Sequence, residues 1–299
     1  MYKVFALLGM TWFVAGSTFA VILAGGDGTQ NTTAPVGGQG WDYVGRIDKP
    51  GVYSSVTYVS NNWFVTANHI KQLDNPSGVI LGGSSYTIDS GSWTRLQNSA
   101  SGDADLIMFR VNESIGLPGL TIRSSATANG SGLTMIGNGR NRETTETYWN
   151  SSWDEVTPPP PATYSGYKWA AGSSKRWGTN NKDADAGLID DGYGVTDMFY
   201  VDFDDIGGNE AQGATYDSGG GVFYDNGGEY ELAGVMLVTS GYAGQPGSTA
   251  VYGNRTYAAD MQYYADQINT TTAIPEPSVL ALTVGFPAVT FFIRRIFRV

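Results

Sequence analysis

Cysteine is absent from all 299 residues, and histidine occurs once, as His69. The first absence excludes disulfides, thiolate metal centres and a cysteine nucleophile. The second removes the imidazole sets on which structural zinc sites draw, so neither metal nor cofactor is expected. Carboxylate-bound calcium is the one metal class the residues leave open, in the acidic run 183–191, which otherwise reads as a solvated loop. Positive charge is also scarce: 17 Lys and Arg stand against 28 Asp and Glu, a net charge of −11. Such a surface repels nucleic acid and anionic lipid, and no nucleic-acid partner is expected. Runs of helix-favouring Ala, Glu, Lys and Leu are rare. Gly is abundant at 41 residues and aromatics reach 13%. That balance predicts an all-β chain of short strands joined by Gly and Asn turns, long enough for one large unit or two small ones.

The two ends read as addresses. Lys3 precedes an apolar run over 4–14, followed by Gly16, Ser17, Thr18, Phe19 and Ala20. A positive start, a short apolar stretch and small residues make a secretory signal peptide over 1–20, cut after Ala20 or after Ala24. At the other end, Pro275-Glu276-Pro277 is followed by apolar residues over 279–293 and then Arg294, Arg295 and Arg298. That apolar run is shorter than the roughly 20 residues a bilayer span uses. The three parts in this order resemble the PEP-CTERM sorting signal of Gram-negative bacteria, over 275–299. The resemblance implies a membrane-embedded segment before processing and an exosortase-type enzyme as a partner. It also implies delivery to the cell envelope, outer surface or extracellular matrix; a plain anchor is the simpler alternative.

Between the ends, strands are expected over 54–60 and 63–67 around Asn61-Asn62, then over 78–82, 85–88 and 105–111. A second set falls at 133–136, 198–203, 221–224 and 230–238, with a turn at Asn226-Gly227-Gly228. Only 257–268 has helical spacing, with Ala258, Met261, Ala265 and Ile268 on one side. The polar stretch 140–191 is too long for an ordinary connection, so it reads as an insertion or surface excursion.

Three motifs carry chemistry. Trp63 to His69 is an apolar strand that ends in small residues and delivers the chain's one imidazole, the usual general base near neutral pH. Asp103-Ala104-Asp105 leads into an apolar strand, which can partly bury a carboxylate against the imidazole. Tyr216-Asp217-Ser218-Gly219-Gly220-Gly221 is a glycine-rich turn of the kind that exposes a serine hydroxyl and lets a substrate backbone approach. Each alone has a plain structural explanation.

In this order, Thr66-Ala67-Asn68-His69, Asp105 before an apolar strand, and Asp217-Ser218-Gly219-Gly220 resemble the chymotrypsin/trypsin family of serine endopeptidases, over residues 40–268. The resemblance implies two packed antiparallel six-stranded β-barrels, 40–125 and 126–270, with a short C-terminal helix. It implies His69 as general base and acid, Asp105 as its orienting carboxylate and Ser218 as nucleophile on a protein or peptide substrate. Backbone N–H groups of Tyr216 and Ser218 would form the oxyanion hole, although Tyr216 stands where the family has Gly and Gly221 where it has Pro. Gln212, six before the serine, would mark the specificity pocket and supplies no carboxylate for Lys or Arg. Asp217 would pair with a new amino terminus, here Val21 or Gly25 after signal cleavage. Two other readings are a catalytically inactive protease-like binding protein of the envelope or exopolysaccharide, and a structural matrix protein whose motif matches are accidental.

Overall fold

Asn61 and Asn62 both take positive φ, 49° and 67°. That pair of left-handed residues makes a tight turn whose twist matches the flanking strands. It joins Ser55–Ser60 to Trp63–Thr66 as an antiparallel hairpin. The computed structural model describes residues 21–157 and 162–273. The signal sequence expected over 1–20 and the sorting signal expected over 275–299 lie outside the described residues. Among the described residues, no helix is long and apolar enough to cross a membrane.

The hairpin is the centre of a seven-stranded antiparallel sheet. Its order is Ser84–Thr87, Gly78–Leu81, Val44–Ile47, Ser55–Ser60, Trp63–Thr66, Asp103–Arg110 and Thr94–Gln97. A bridge between Ile88 and Val111 draws the outer strand's end back towards the Asp103–Arg110 strand. A second seven-stranded antiparallel sheet runs in the order Arg176–Asn181, Gly132–Gly137, Gly221–Asp225, Tyr230–Ser240, Arg255–Asp260, Val195–Asp202 and Ala184–Asp190. The Asn180 amide of its first strand donates to the Asp202 carbonyl of its sixth, at 2.7 Å. Each sheet thus has one strand beyond the expected six.

The stretch 140–191 is not a surface excursion. It contributes the outer strands Arg176–Asn181 and Ala184–Asp190 to the second sheet, and Arg140–Arg142, Thr147–Trp149, Glu155–Val156 and Tyr164–Ser173 to a smaller five-stranded sheet. Its polar composition misleads because these are edge strands with many half-exposed positions, which need few apolar residues. The helix expected over 257–268 starts later. Arg255–Asp260 is a strand, a single turn at Met261–Tyr263 follows, and the helix is Ala265–Thr272. Ala258 and Met261 are buried as expected, but strand pairing claims the first of them.

One buried cluster joins the two sheets: Val56, Phe64, Leu106 and Met108 of the first pack with Ile136, Val235, Leu237 and Ala259 of the second. Strand Asp103–Arg110 is buried at six successive positions because it is covered on both faces. The terminal helix clasps the halves. Gln267 exchanges two hydrogen bonds with the Gln97 backbone, at 2.9 and 2.8 Å, and the Asn61 amide donates to Thr272 O at 2.7 Å. A separate cluster inside the second sheet takes in Val21 and Leu23 with Leu133, Phe199 and Met236. The start of the described chain is therefore core, not tail.

Candidate active site

His69 lies in the first turn of a short helix, Asn68–Asp74, immediately after the strand Trp63–Thr66 ends. Its main-chain N–H donates to Asp105 Oδ1 at 2.8 Å, and its ring Nδ1 lies 2.6 Å from Asp105 Oδ2. Asp105 is fully buried, whereas the His69 ring keeps 17% of its surface. Asp105 is the third residue of its strand rather than the residue before it. The Asp105 N–H in turn donates to Thr196 Oγ1 at 2.8 Å, which ties the pair to the second sheet. This geometry fixes the ring so that Nδ1 faces the carboxylate and Nε2 is left for other work.

Ser218 is held on a turn that presses against the same hairpin. Gly219 has φ +87°, and a Cβ there would stand 2.0 Å from Ser55 O and 2.2 Å from Thr66 Oγ1. Only glycine permits that approach. Thr57 Oγ1 donates to Gly219 O at 2.9 Å, and Ser55 N–H is shared between Tyr216 O at 2.9 Å and Ser218 O at 3.0 Å. The Ser218 hydroxyl donates to Leu237 O at 2.9 Å. His69 and Ser218 line one cleft of about 360 Å³.

Tyr216 has φ +80°, a left-handed conformation in a residue with a large side chain. Its carbonyl accepts from both the N–H and the hydroxyl of Ser55, each at 2.9 Å, which turns that oxygen away from the cleft. Among the described residues, neither the Tyr216 N–H nor the Ser218 N–H donates to a partner. Two free backbone donors on either side of a serine can hold a developing oxyanion.

Asp217 is buried beneath this turn. It accepts from Gly139 N at 2.7 Å and Ala214 N at 2.8 Å, and the Val21 N–H also reaches it. Burial pushes its carboxyl up to about 7, against the opposing pull of those N–H groups and of Arg176. Gly137 and Gly139 make room for it, since a Cβ at either would meet its oxygens at 2.1 and 2.3 Å. Of the two expected amino-terminal positions, Val21 meets Asp217, whereas Gly25 N–H donates to Tyr167 Oη at 2.8 Å.

Gln212 stands apart from the cleft. It is 2% exposed in the two-residue strand Ala211–Gln212, paired with Ile22, and does not line the cavity that holds His69 and Ser218. The pairing with the start of the chain withdraws it. The next residues, Gly213 and Ala214, line the cleft together with Val238, Thr239 and Thr256. Sequence reasoning also missed Ser55, Thr196, Asp191 and Tyr193, which belong to no motif and reach the site by strand pairing. The acidic run 183–191 forms no ion site: among the described residues, no three His, Cys, Asp or Glu are grouped to hold a metal.

No protein-family model matches this sequence, and no curated protein matches it. Solved structures do. Neuropsin, a serine protease expressed in the limbic system of mouse brain, aligns with TM-score 0.52 and 16% identity, over 81% of this chain and 98% of that one. A mutant of human heparin binding protein aligns with TM-score 0.52 and 12% identity, over 83% and 97%. At such identities the likeness concerns architecture. The fold is that of chymotrypsin-like serine proteases.

Proposed function

We propose that the chain is an exported serine endopeptidase that acts through His69, Asp105 and Ser218. The observation that carries this reading is the buried Asp105 gripping His69 by ring and backbone, in the cleft that Ser218 lines. When a peptide enters, the Ser218 hydroxyl leaves Leu237 O, gives its proton to His69 Nε2 and attacks the scissile carbonyl carbon. The oxyanion settles on the N–H groups of Tyr216 and Ser218. Collapse breaks the C–N bond, and His69 returns the proton to the leaving amine. Water activated by the same imidazole then frees the acyl group. Asp105 keeps the ring oriented and favours the imidazolium that forms between these steps.

Val21 adds a maturation step to this reading. Its N–H is already at the Asp217 carboxylate, and Val21 to Ala24 are buried. Cleavage after Ala20 would turn that amide into an ammonium beside Asp217. Export through the signal sequence would then complete the enzyme, and the Pro275 to Pro277 segment would direct its sorting to the envelope.

The second reading is a silent binding protein on the same fold. The fold alone does not decide between them, since one structural neighbour is a serine protease and another a heparin binding protein. Tyr216 in place of glycine, and the Ser218 hydroxyl bonded to Leu237 O, favour silence. The deciding experiment is labelling of residues 21–273 with a fluorophosphonate. Labelling lost in both Ser218→Ala and His69→Ala supports the endopeptidase; a folded protein that takes no label supports the binder.

A further inference from the structure

The loop 191–194, between the strands Ala184–Asp190 and Val195–Asp202, lies over the His69–Asp105 pair. Gly194 sits directly on the backbone of Asp105, where a Cβ would stand 2.4 Å from Asp105 N and 2.5 Å from Ala104 C. The Tyr193 ring leans on the His69 ring, with centroids 5.1 Å apart at 44°. Arg95 pins the loop from the first sheet, donating to Tyr193 O with one arm and to Ala104 O at 2.9 Å with another. Asp191 closes the turn: its Oδ1 accepts from Tyr193 N at 3.0 Å and Gly194 N at 3.1 Å. Its carboxyl also makes a hydrogen bond with the carboxyl of Asp105 and lines the cleft beside His69.

We propose that Asp191 is a positioning residue of this site, a second carboxyl that hydrogen bonds to Asp105 from the side away from His69 and sets the proton affinity of the imidazole. Both Asp105 oxygens already face His69, through its backbone and ring nitrogens. Each oxygen has one lone pair left, and a protonated Asp191 is the donor that fills one. Two carboxyl groups in such contact cannot both ionise cheaply, so they hold one proton between them at acid pH. Burial first, and the Asp105 charge second, push the Asp191 carboxyl up to about 6. Above that value Asp191 is charged, and the imidazole faces two carboxylates rather than one. The imidazolium is then favoured, so Asp191 raises the pH at which His69 loses its proton.

The surrounding charges leave this balance to Asp191. Asp74, from the helix that carries His69, lines the same cleft. Arg95 is held by Asp103 at 3.4 Å, and Asp217 is buried beneath the serine turn. Tyr193 and Tyr216 are the other titratable groups at the cleft. None of the hydrogen bonds made by Asp74, Asp103 or Asp217 goes to His69 or Asp105.

The consequence for catalysis rests on the endopeptidase reading, but the test does not. His69 is the only imidazole in the chain, so its NMR titration is assigned without ambiguity. It is recorded on the Ser218→Ala core with and without Asp191→Asn, which keeps the turn's acceptor oxygen and supplies an uncharged donor to Asp105. The expected wild-type curve has two coupled steps. In Asp191→Asn it becomes a single step displaced to lower pH by about half a unit or more. In Asp191→Leu, which loses the donor as well, the displacement is also downwards and the ring resonances broaden. A one-step wild-type curve, or an Asp191→Asn curve that superimposes on it, overturns the proposal. Fluorophosphonate labelling of the wild type is run in parallel, and its failure alone would count against the endopeptidase reading only.

Discussion

Asp105 holds His69 twice, by the ring Nδ1 at 2.6 Å and by the main-chain N–H at 2.8 Å. The second contact matters as much as the first. It locks the start of the helix Asn68–Asp74 to the strand Asp103–Arg110, so the ring cannot swing without breaking a backbone bond. Replacing Asp105 with Asn keeps the shape but offers an N–H2 where one nitrogen of His69 already donates. We expect Asp105→Asn to lower the labelling rate by about 10⁴-fold, the scale of losing the correct tautomer, with a thermal midpoint close to that of the parent. A loss below tenfold would mean that the carboxylate does not act through the ring.

Gly219 is where stability and reactivity meet. With φ +87° and Ser55 O only 2.0 Å from a hypothetical Cβ, Gly219→Ala must push the serine turn away from the His69 hairpin. The expected cost is about 3 kcal/mol, from positive-φ strain and the displaced backbone together. Urea unfolding would read the stability loss, and labelling of the folded fraction should fall in parallel. Unchanged reactivity would show that the turn does not position the nucleophile.

Tyr216 carries the same backbone demand with the wrong residue for it. Its φ of +80° costs a side-chain-bearing residue roughly 1–2 kcal/mol. Its ring recovers some of this against Tyr53, at 5.7 Å edge-on. Comparing Tyr216→Gly with Tyr216→Ala removes the ring from both sides of the balance. Glycine should be the more stable of the two by about 1 kcal/mol, the reverse of their usual order. Both should keep the label, because the donor is the backbone N–H. An alanine variant more stable than the glycine variant would rule the strain out.

The Val21–Asp217 contact predicts a pH signature. With Val21 still an amide, burial holds the Asp217 carboxyl at about 7, above its ordinary 3.8. A carboxyl raised on folding contributes its stability at low pH and loses it as pH climbs from the unfolded to the folded value. A chain extended by Ala20 should therefore lose stability between about pH 4 and pH 7. A chain that begins at Val21 has an ammonium there to offset the loss. Thermal unfolding should show the two forms close together near pH 4 and separated at pH 7, and Asp217→Asn should close the gap. Equal midpoints at pH 7 would refute the maturation step.

What could be read from the sequence was whatever is local. The hairpin at Asn61-Asn62 follows from two turn residues, and the strands at 78–81 and 221–225 from apolar runs between glycines. His69, Asp105 and Ser218 were legible because each is embedded in a short motif. Elements set by distant pairing were not. Arg176–Asn181 and Ala184–Asp190 look like loop because edge strands need little apolar surface. Arg255–Asp260 shares its helical spacing with a strand that neighbours claim on both sides. Gln212 was placed by counting from the serine, and the count could not foresee that Ile22 would pair with it. Asp191 was invisible for the same reason: its partner Asp105 lies 86 positions earlier in the chain.

Specificity turns on the residues that take the place assigned to Gln212. Gly213 N–H donates to Thr256 Oγ1 at 2.8 Å, and a Cβ on Gly213 would meet Thr256 Cγ2 at 3.0 Å and Thr239 Cγ2 at 3.6 Å. Both threonines line the cleft, with Ala214 and Val238 beside them. A pocket walled by small and uncharged side chains gives a Lys or Arg no partner for its charge, and desolvating that charge is costly. Cleavage in a mixed peptide library should therefore fall after uncharged residues. Gly213→Ala would narrow the space between the two threonines. We expect it to lower kcat/KM for the bulkiest accepted side chain by about 10- to 100-fold while sparing the smallest, since misfits of one or two methylenes act on that scale. A uniform loss across all peptides would place Gly213 in the scaffold rather than the pocket. A strong preference for Lys or Arg in the parent protein would show that an acidic group outside this wall reads the substrate.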